Sequence, residues 1–318
     1  MLLERMLVNM SDISVVIPLY NKANYISRAL TSIVEQTQGV GEIIVVNDGS
    51  SDTSAEIVKQ NFPDVVLIEQ KNQGVSVARN TGIAHAKYKF IAFLDADDYW
   101  LPNFIASINY LIELAPDAGM FCTHYGFKTV SEVRSAKTKM LPDSPGAVVD
   151  YFAACINADL PVTASSVCIH RELLLQTSGF PVGMKMGEDQ VVWANIACLS
   201  RVMYHPELCV HYDLTIASSA CDVNQILEPA PQLLAYQELL DQNLVPDYLI
   251  NSLHRLMSLT VMSCAKNNLL LNNRDKARSL LLHHPHLIWD IYRLCGLLAT
   301  YLPKAVLNFF IRLVRGNR

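Results

Sequence analysis

Along residues 1–100 the apolar positions switch repeatedly between two spacings. Residues 13–20, ISVVIPLY, form a near-continuous apolar and β-branched run, which predicts a buried strand. In 23–37, ANYISRALTSIVEQT, the apolar residues Ile26, Leu30, Ile33 and Val34 fall on one helical face. A second strand follows at 42–48, EIIVVND. Residues 50–62 open with Ser and Asp, which can cap a helix. A third strand is expected at 65–70, a helix at 74–86 and a fourth strand at 89–95. Strand and helix in alternation predict a parallel sheet covered on both faces.

Beyond residue 100 the pattern is less regular. Helices are expected at 102–114 and 188–200, and strands at 120–130 and 165–170. Glu188 and Asp189 fall in the first turn of the 188–200 helix, where the macrodipole favours acids. From about 222 the chain is Leu-rich and reads as helix only, for instance at 275–285. Prolines and polar residues cluster near 220–232. The expected organisation is a 12–220 domain with halves at 12–100 and 101–220, then a helical region at 221–318.

Composition changes the picture in two places. Of the 318 residues, 51% are hydrophobic and 17% charged, which suits a packed core, and a net charge of −5 argues against a nucleic-acid binder. That charge is uneven: residues 1–220 carry 15 basic and 23 acidic side chains, whereas 221–318 carry 10 and 7. After Asp290 there is no acid, but there are Arg293, Lys304, Arg312, Arg315 and Arg318. Residues 300–318 mix these cations with a broad apolar face and suit peripheral contact with an anionic bilayer; the alternative is a final helix packed on the catalytic domain. The N-terminal stretch, MLLERMLVNMSD, has an acid and too short an apolar run for a signal peptide. The expected location is cytoplasmic, with the inner face of the cell membrane as the surface for peripheral contact. The eight cysteines have no metal-ligand or CxxC spacing and read as buried free thiols.

The candidate chemistry sits at the ends of the expected strands, beyond which ligands bind in open α/β sheets. These ends carry Pro18-Leu19-Tyr20-Asn21, Asn47-Asp48-Gly49-Ser50 and Asp95-Ala96-Asp97-Asp98. Three clustered carboxylates are costly unless a cation neutralises them, and hard oxygen ligands suit Mg²⁺ or Mn²⁺ bound together with phosphate. In an extended segment Asp95 and Asp97 share one face and Asp98 turns aside. A solvated acidic loop, or Asp98 as the cap of the 102–114 helix, accounts for the same residues. Lys71 and Arg79 add cations near that edge. Neither a dinucleotide fingerprint nor a P-loop is present.

Taken in order, IPLYN, VNDGSSDTS, NQGVSVARNTG, FLDADD and GED resemble the signature of glycosyltransferase family 2, over roughly residues 12–215. The resemblance implies a GT-A fold: a Rossmann-like, mixed but mainly parallel sheet flanked by helices, here followed by the helical C-terminal region. It implies an inverting hexosyl- or N-acetylhexosaminyl-transferase that takes a nucleotide sugar, most often a UDP-sugar, and uses Mg²⁺ or Mn²⁺. The acceptor would be a saccharide or lipid-linked saccharide in the assembly of a cell-surface polysaccharide. By the same resemblance, Pro18, Tyr20 and Asn21 would line the nucleotide pocket and Asp48 would bind the base. Lys71 and Arg79 would serve the donor side, Asp95 the ribose or metal, and Asp97 the metal. Asp189 would be the catalytic base, with Glu188 beside it. The family often places a His after the ED helix. Here Thr215 occupies that place, and His211 reads as a packed or surface imidazole. The rivals are a non-catalytic sugar- or partner-binding module on the same fold, and another metal-dependent nucleotidyl- or phosphoryl-transfer enzyme. A haloacid-dehalogenase-like phosphatase would want Thr where Tyr99 stands.

Overall fold

The computed structural model describes residues 11–156, 158–184, 186–215, 228–288 and 290–302. The first ten residues, Cys221 and most of the basic-apolar tail at 303–318 lie outside them. The chain divides into two compact units, residues 1–219 and 220–318.

The apolar run that begins the first unit becomes β1 (Ser11–Leu19). Ile13, Val15, Val16, Ile17 and Leu19 are all fully buried, so both faces of the strand are covered and it lies inside the sheet. β2 (Val40–Asp48) pairs parallel on one side of it and β4 (Phe90–Phe93) parallel on the other. β3 (Val66–Gln70) pairs parallel with β2 and forms that edge. The crossovers run through α1 (Ile26–Val34), α2 (Ser54–Asn61) and α3 (Val75–His85). The expected strand–helix alternation is what folds, with ends trimmed by a few residues.

The second half of this unit makes the sheet mixed. β5 (Tyr99–Trp100), α4 (Phe104–Leu114) and β6 (Met120–Lys128) follow, then the short β7 (Val133–Ser135), β8 (Gly146–Ala147) and α5 (Tyr151–Ala154). β9 (Val167–His170), α6 (Arg171–Gln176), α7 (Glu188–Leu199) and β10 (Val202–Asp213) complete it. Along the main path the order is β3-β2-β1-β4-β9-β6-β10-β5. β9 runs antiparallel to both β4 and β6, while β10 is parallel to β6 and antiparallel to β5. β10 was not legible in the sequence: Pro206 and Glu207 break its apolar alternation where the register with β6 shifts, between His205 and Leu208.

Two local expectations are corrected. Neither Ser50 nor Ser51 caps α2. Thr53 precedes that helix without a side-chain cap, and Asp52 accepts from the Ser54 amide instead. Asp98 does not cap α4, which starts after Asn103; it is buried elsewhere, as described below.

The second unit contains α8 (Gln232–Asp241), α9 (Asp247–Leu270), α10 (Arg274–His283) and α11 (Ile291–Ala299), with no strand among its described residues. Seven cysteines are free; five are buried as expected, Cys155 is half-buried and Cys295 is exposed.

Where α3 lies against β1, Gly82 faces Val16. A Cβ at position 82 would overlap Val16 Cγ1. Overpacking of this kind costs about 1–3 kcal/mol. Gly82→Ala is expected to lower the denaturant midpoint accordingly, with the slope of the transition unchanged.

Candidate functional site

Three strand ends and one helix start are drawn together by side chains. After β1 the chain turns through Asn21, whose φ is +51°. Asn21 Oδ1 accepts from the Ser51 amide at 2.8 Å, and its own amide donates to Ser50 Oγ at 3.0 Å. The loops after β1 and β2 are thereby joined. Tyr20 stands half out of this edge at 49% exposure, and Pro18 is half-buried.

Asp48 ends β2 and is 2% exposed. Its Oδ1 accepts from Gln70 Nε2 and the Gln73 amide at 2.8 and 2.9 Å, and its Oδ2 from the Gly74 amide at 2.8 Å. Gly74 has φ +92°, a conformation that glycine adopts readily and that aims these amides at the carboxylate. The carboxylate sits at the N-terminus of α3, where an anion is favoured. The expectation that Asp48 reaches a base directly thus meets a side chain already occupied in shaping the 70–74 loop. Lys71 is exposed on that loop.

Asp95, Asp97 and Asp98 do not form an extended run. The Asp98 amide donates to the Asp95 carbonyl at 3.0 Å, so 95–98 is a turn, and the three carboxylates part company. Asp95 Oδ1 accepts from Arg79 Nη2 at 2.7 Å. Asp97 Oδ2 accepts from Lys22 Nζ at 2.6 Å. Asp98 turns inward and is 2% exposed; Ser165 Oγ donates to its Oδ2 at 2.5 Å, and the Asp213 amide to its Oδ1 at 3.0 Å. Burial, reinforced by the charges of Asp95 and Asp97, holds its carboxyl well above the usual range. The turn is fixed from outside as well: Ser165 Oγ accepts from the Asp95 amide, and Arg28 Nη2 donates to the Asp97 carbonyl at 2.6 Å and to Asp213 Oδ2 at 2.7 Å. Burial alone would raise the Asp213 carboxyl, but Thr215 and Arg28 outweigh it and the net shift is downward.

Arg79 ties this edge to the second half of the unit. It is 3% exposed, and its Nη1 donates to Glu188 Oε1 at 2.9 Å while Nη2 holds Asp95. Burial disfavours its charge, yet Asp95 and Glu188 outweigh that and hold it more firmly protonated than a free arginine. The guanidinium also covers the Phe180 ring at 5.0 Å. Phe180 packs edge-on against Phe93 of β4 and Trp193 of α7, with ring centroids 5.3 and 5.8 Å away. The neighbouring Asn80 exchanges two hydrogen bonds with the Phe180 backbone, at 2.7 and 2.8 Å. Arg79-Asn80 therefore docks the start of α7 against the sheet. Gly187, at φ +80°, starts that helix from the left-handed region.

Asp189 is half-buried beside Glu188 and forms no ion pair with Arg79 within 4 Å; its Oδ1 accepts from the Gln190 amide at 2.7 Å. Burial and the Glu188 charge push its carboxyl up to about 6 against the lowering pull of Arg79. His211 Nδ1 lies 2.8 Å from Tyr99 Oη, and its ring packs edge-on against the Tyr99 ring.

The structure brings Asp95, Arg79 and Glu188 together through these contacts, with Asp97 in the same turn as Asp95 and Asp189 next to Glu188, whereas Asn21 bonds to Ser50 and Ser51. No hydrogen bond or ion pair joins Lys71 or Tyr20 to them among the described residues. Sequence reading missed Lys22, Arg28, Ser165 and Asp213. Their partners lie 67 to 185 residues away in the chain, a separation that carries no periodic signal.

Asp95 and Asp97 were expected to hold a divalent metal. No group of three or more His, Cys, Asp or Glu gathers as a metal cage among the described residues. The two carboxylates keep 27% and 22% of their side chains exposed at the sheet edge. As hard oxygen donors they fit Mg²⁺ or Mn²⁺ with part of the ligand set left for phosphate and water, the usual habit of these ions.

Residues 14–157 match the family model described as Glycosyl transferase family 2, and the chain carries a domain of that family. It is 46% identical over 101 residues to the uncharacterized glycosyltransferase YibD of Escherichia coli (strain K12), covering 31% of this chain and 29% of that protein. It is 41% identical over 191 residues to the uncharacterized glycosyltransferase alr2836 of Nostoc sp. (strain PCC 7120), covering 57% and 55%. The match thus spans about a third or less of several of these curated relatives, and about half of the Nostoc protein. Among solved structures, S. aureus TarS 1-349 in complex with UDP-GlcNAc superposes with a TM-score of 0.65 at 16% identity, covering 94% of this chain and 91% of that one. The mannosyltransferase PcManGT of Pyrobaculum calidifontis, in complex with GDP-Man and Mn²⁺, gives 0.59 at 17%, covering 95% and 88%. These likenesses show the fold: a GT-A-type mixed, mainly parallel sheet flanked by helices, with helices after it.

The Asp189 carboxyl yields a stability prediction. A carboxyl whose folded pKa lies above its unfolded value supports folding at low pH and gives that support up as pH rises from about 4 to about 6. Asp189→Asn is therefore expected to stabilise the fold by up to about 3 kcal/mol at pH 8, with the gain vanishing below pH 4. Thermal melts of both proteins across that range check it; an equal difference at pH 4 and pH 8 contradicts it.

Proposed function

We propose that this chain transfers a sugar from a nucleoside-diphosphate sugar to a hydroxyl of a saccharide or lipid-linked saccharide, with inversion at the anomeric carbon, in the assembly of a cell-surface polysaccharide. One observation carries the reading: Arg79 holds an acid from the sheet edge and an acid from the α7 start on one guanidinium, with Asp189 free of it alongside. The family 2 domain and the nucleotide sugars bound in TarS and PcManGT support it. A UDP-sugar is the favoured donor, and the hexosyl or N-acetylhexosaminyl group is the class transferred.

In this reading the residues divide the work. The loop shaped by Asp48, together with Pro18, Tyr20 and Asn21, receives the nucleoside, and Lys71 flanks it. Asp97 and Asp95 would hold Mg²⁺ or Mn²⁺; when bound, the cation offsets the charge that develops on the departing diphosphate. Lys22 places an ammonium at Asp97 and adds positive charge on the same side. Asp189 takes the proton from the acceptor hydroxyl, because Glu188 is engaged by Arg79 while Asp189 keeps a carboxyl poised near neutrality. A single displacement needs one base and no covalent nucleophile, unlike the paired carboxylates of a glycoside hydrolase.

Asp97→Ala and Asp189→Asn are each expected to lower sugar transfer by about a hundredfold or more, with unchanged circular dichroism. Asp189→Asn retaining most activity would place the base elsewhere. With the wild type, kcat/KM is expected to rise through about pH 6 as Asp189 ionises. UDP-sugars should raise the melting temperature more with Mn²⁺ than with EDTA, a difference that Asp97→Ala removes.

A further inference from the structure

The last described helix of the second unit is built inside out. In α11 the exposed positions are Ile291, Tyr292, Leu294, Cys295 and Leu298, followed just past its end by Tyr301. At 100° per residue these six cover about half the helix circumference, and not one is charged. Ile291, Tyr292, Leu298 and Tyr301 are each 59–67% exposed. Arg293, the single charged residue of the helix, points inward and is 3% exposed. Its guanidinium donates to the carbonyls of Leu281, Leu287 and Leu282 at 2.6, 2.8 and 2.9 Å, which capture the C-terminal end of α10. Leu282 and Ile288 add exposed apolar surface close by in the chain. A face of this kind is not left in water without a partner.

The charge of the surrounding sequence says what that partner is. From Ile291 to Arg318 the chain contains no Asp or Glu, and residues 303–318, outside the described part, add Lys304, Arg312, Arg315 and Arg318 to further apolar residues. An apolar helix face followed by an acid-free, basic sequence fits a surface that is apolar within and anionic at its rim. α11 has nine residues, far short of the roughly 20 needed to cross a bilayer, and no described helix is long and apolar enough to do so. We propose that the outward face of α11 docks in the interface of an anionic lipid bilayer. The docking stands apart from sugar transfer. Only its consequence, that a lipid-linked acceptor is met at the same surface, rests on the transferase reading.

The test is flotation of the full-length chain with vesicles of phosphatidylcholine alone or with 30% phosphatidylglycerol. The wild type is expected to float with the anionic vesicles. Each basic side chain near the surface contributes about fivefold in affinity, so 0.5 M salt should weaken binding strongly. Ile291→Asp with Leu298→Asp is expected to reduce binding at least tenfold, with the melting temperature and nucleotide binding unchanged. Ile291→Ser with Leu298→Ser, a milder pair, should give the same direction of change. The proposal is overturned if the wild type stays with the soluble fraction, or if both pairs float like the wild type. It is also overturned if light scattering shows a dimer that the serine pair splits while flotation is absent, since the face would then belong to a second copy.

Discussion

The Arg79 guanidinium lies between Asp95 and Glu188, which are 16 and 109 residues away in the chain. A buried cation of this size is tolerated only when it is paired, and leaving either acid without it would strand a charge. Removing the arginine would therefore release both halves of the site at once. The apolar packing beneath it points the same way: Phe180 supports the guanidinium, Phe93 supports Phe180 from β4, and Trp193 supports it from α7. Asn80 fixes the Phe180 backbone from the adjacent position. Four turns and helices are thus held by one side chain and the ring cluster below it.

The 95–98 turn shows how the cost of adjacent acids is met without any one compensation. Asp95 takes a guanidinium, Asp97 an ammonium, and Asp98 is buried against the Ser165 hydroxyl, its carboxyl held well above the usual range by that burial. Each solution uses a different element: α3, the β1–α1 turn, and the turn before β9. Arg28 then closes the outside by joining the Asp97 carbonyl to Asp213 at the end of β10. The Asp95 and Asp97 carboxylates remain partly exposed at the edge.

Much of this was legible in the chain, and the limits have physical causes. The alternation that yields β1 through β4 is strong because both faces of a parallel sheet are buried and whole strands become apolar. β10 escaped notice because Pro206 and Glu207 interrupt its pattern at a register shift, although it is one of the longest strands. Asp95, Asp97, Glu188 and Asp189 were found because acids at strand ends and helix starts stand out locally. That Arg79 would be buried, and that Lys22 and Ser165 would meet the acidic turn, depended on contacts across the folded sheet that no local spacing encodes. The family resemblance supplied the convergence of these segments before any coordinate did, but it said nothing of the inward Arg293 or the apolar face of α11.

The most direct test of the central claim is a double-mutant cycle on folding free energy with Asp95→Asn and Glu188→Gln at pH 7.5. If one buried guanidinium serves both carboxylates, the double variant strands it and should lose at least about 1 kcal/mol more than the sum of the single losses. Losses that add to within about 0.5 kcal/mol would mean that the two acids are held independently and that Arg79 does not join the halves of the site.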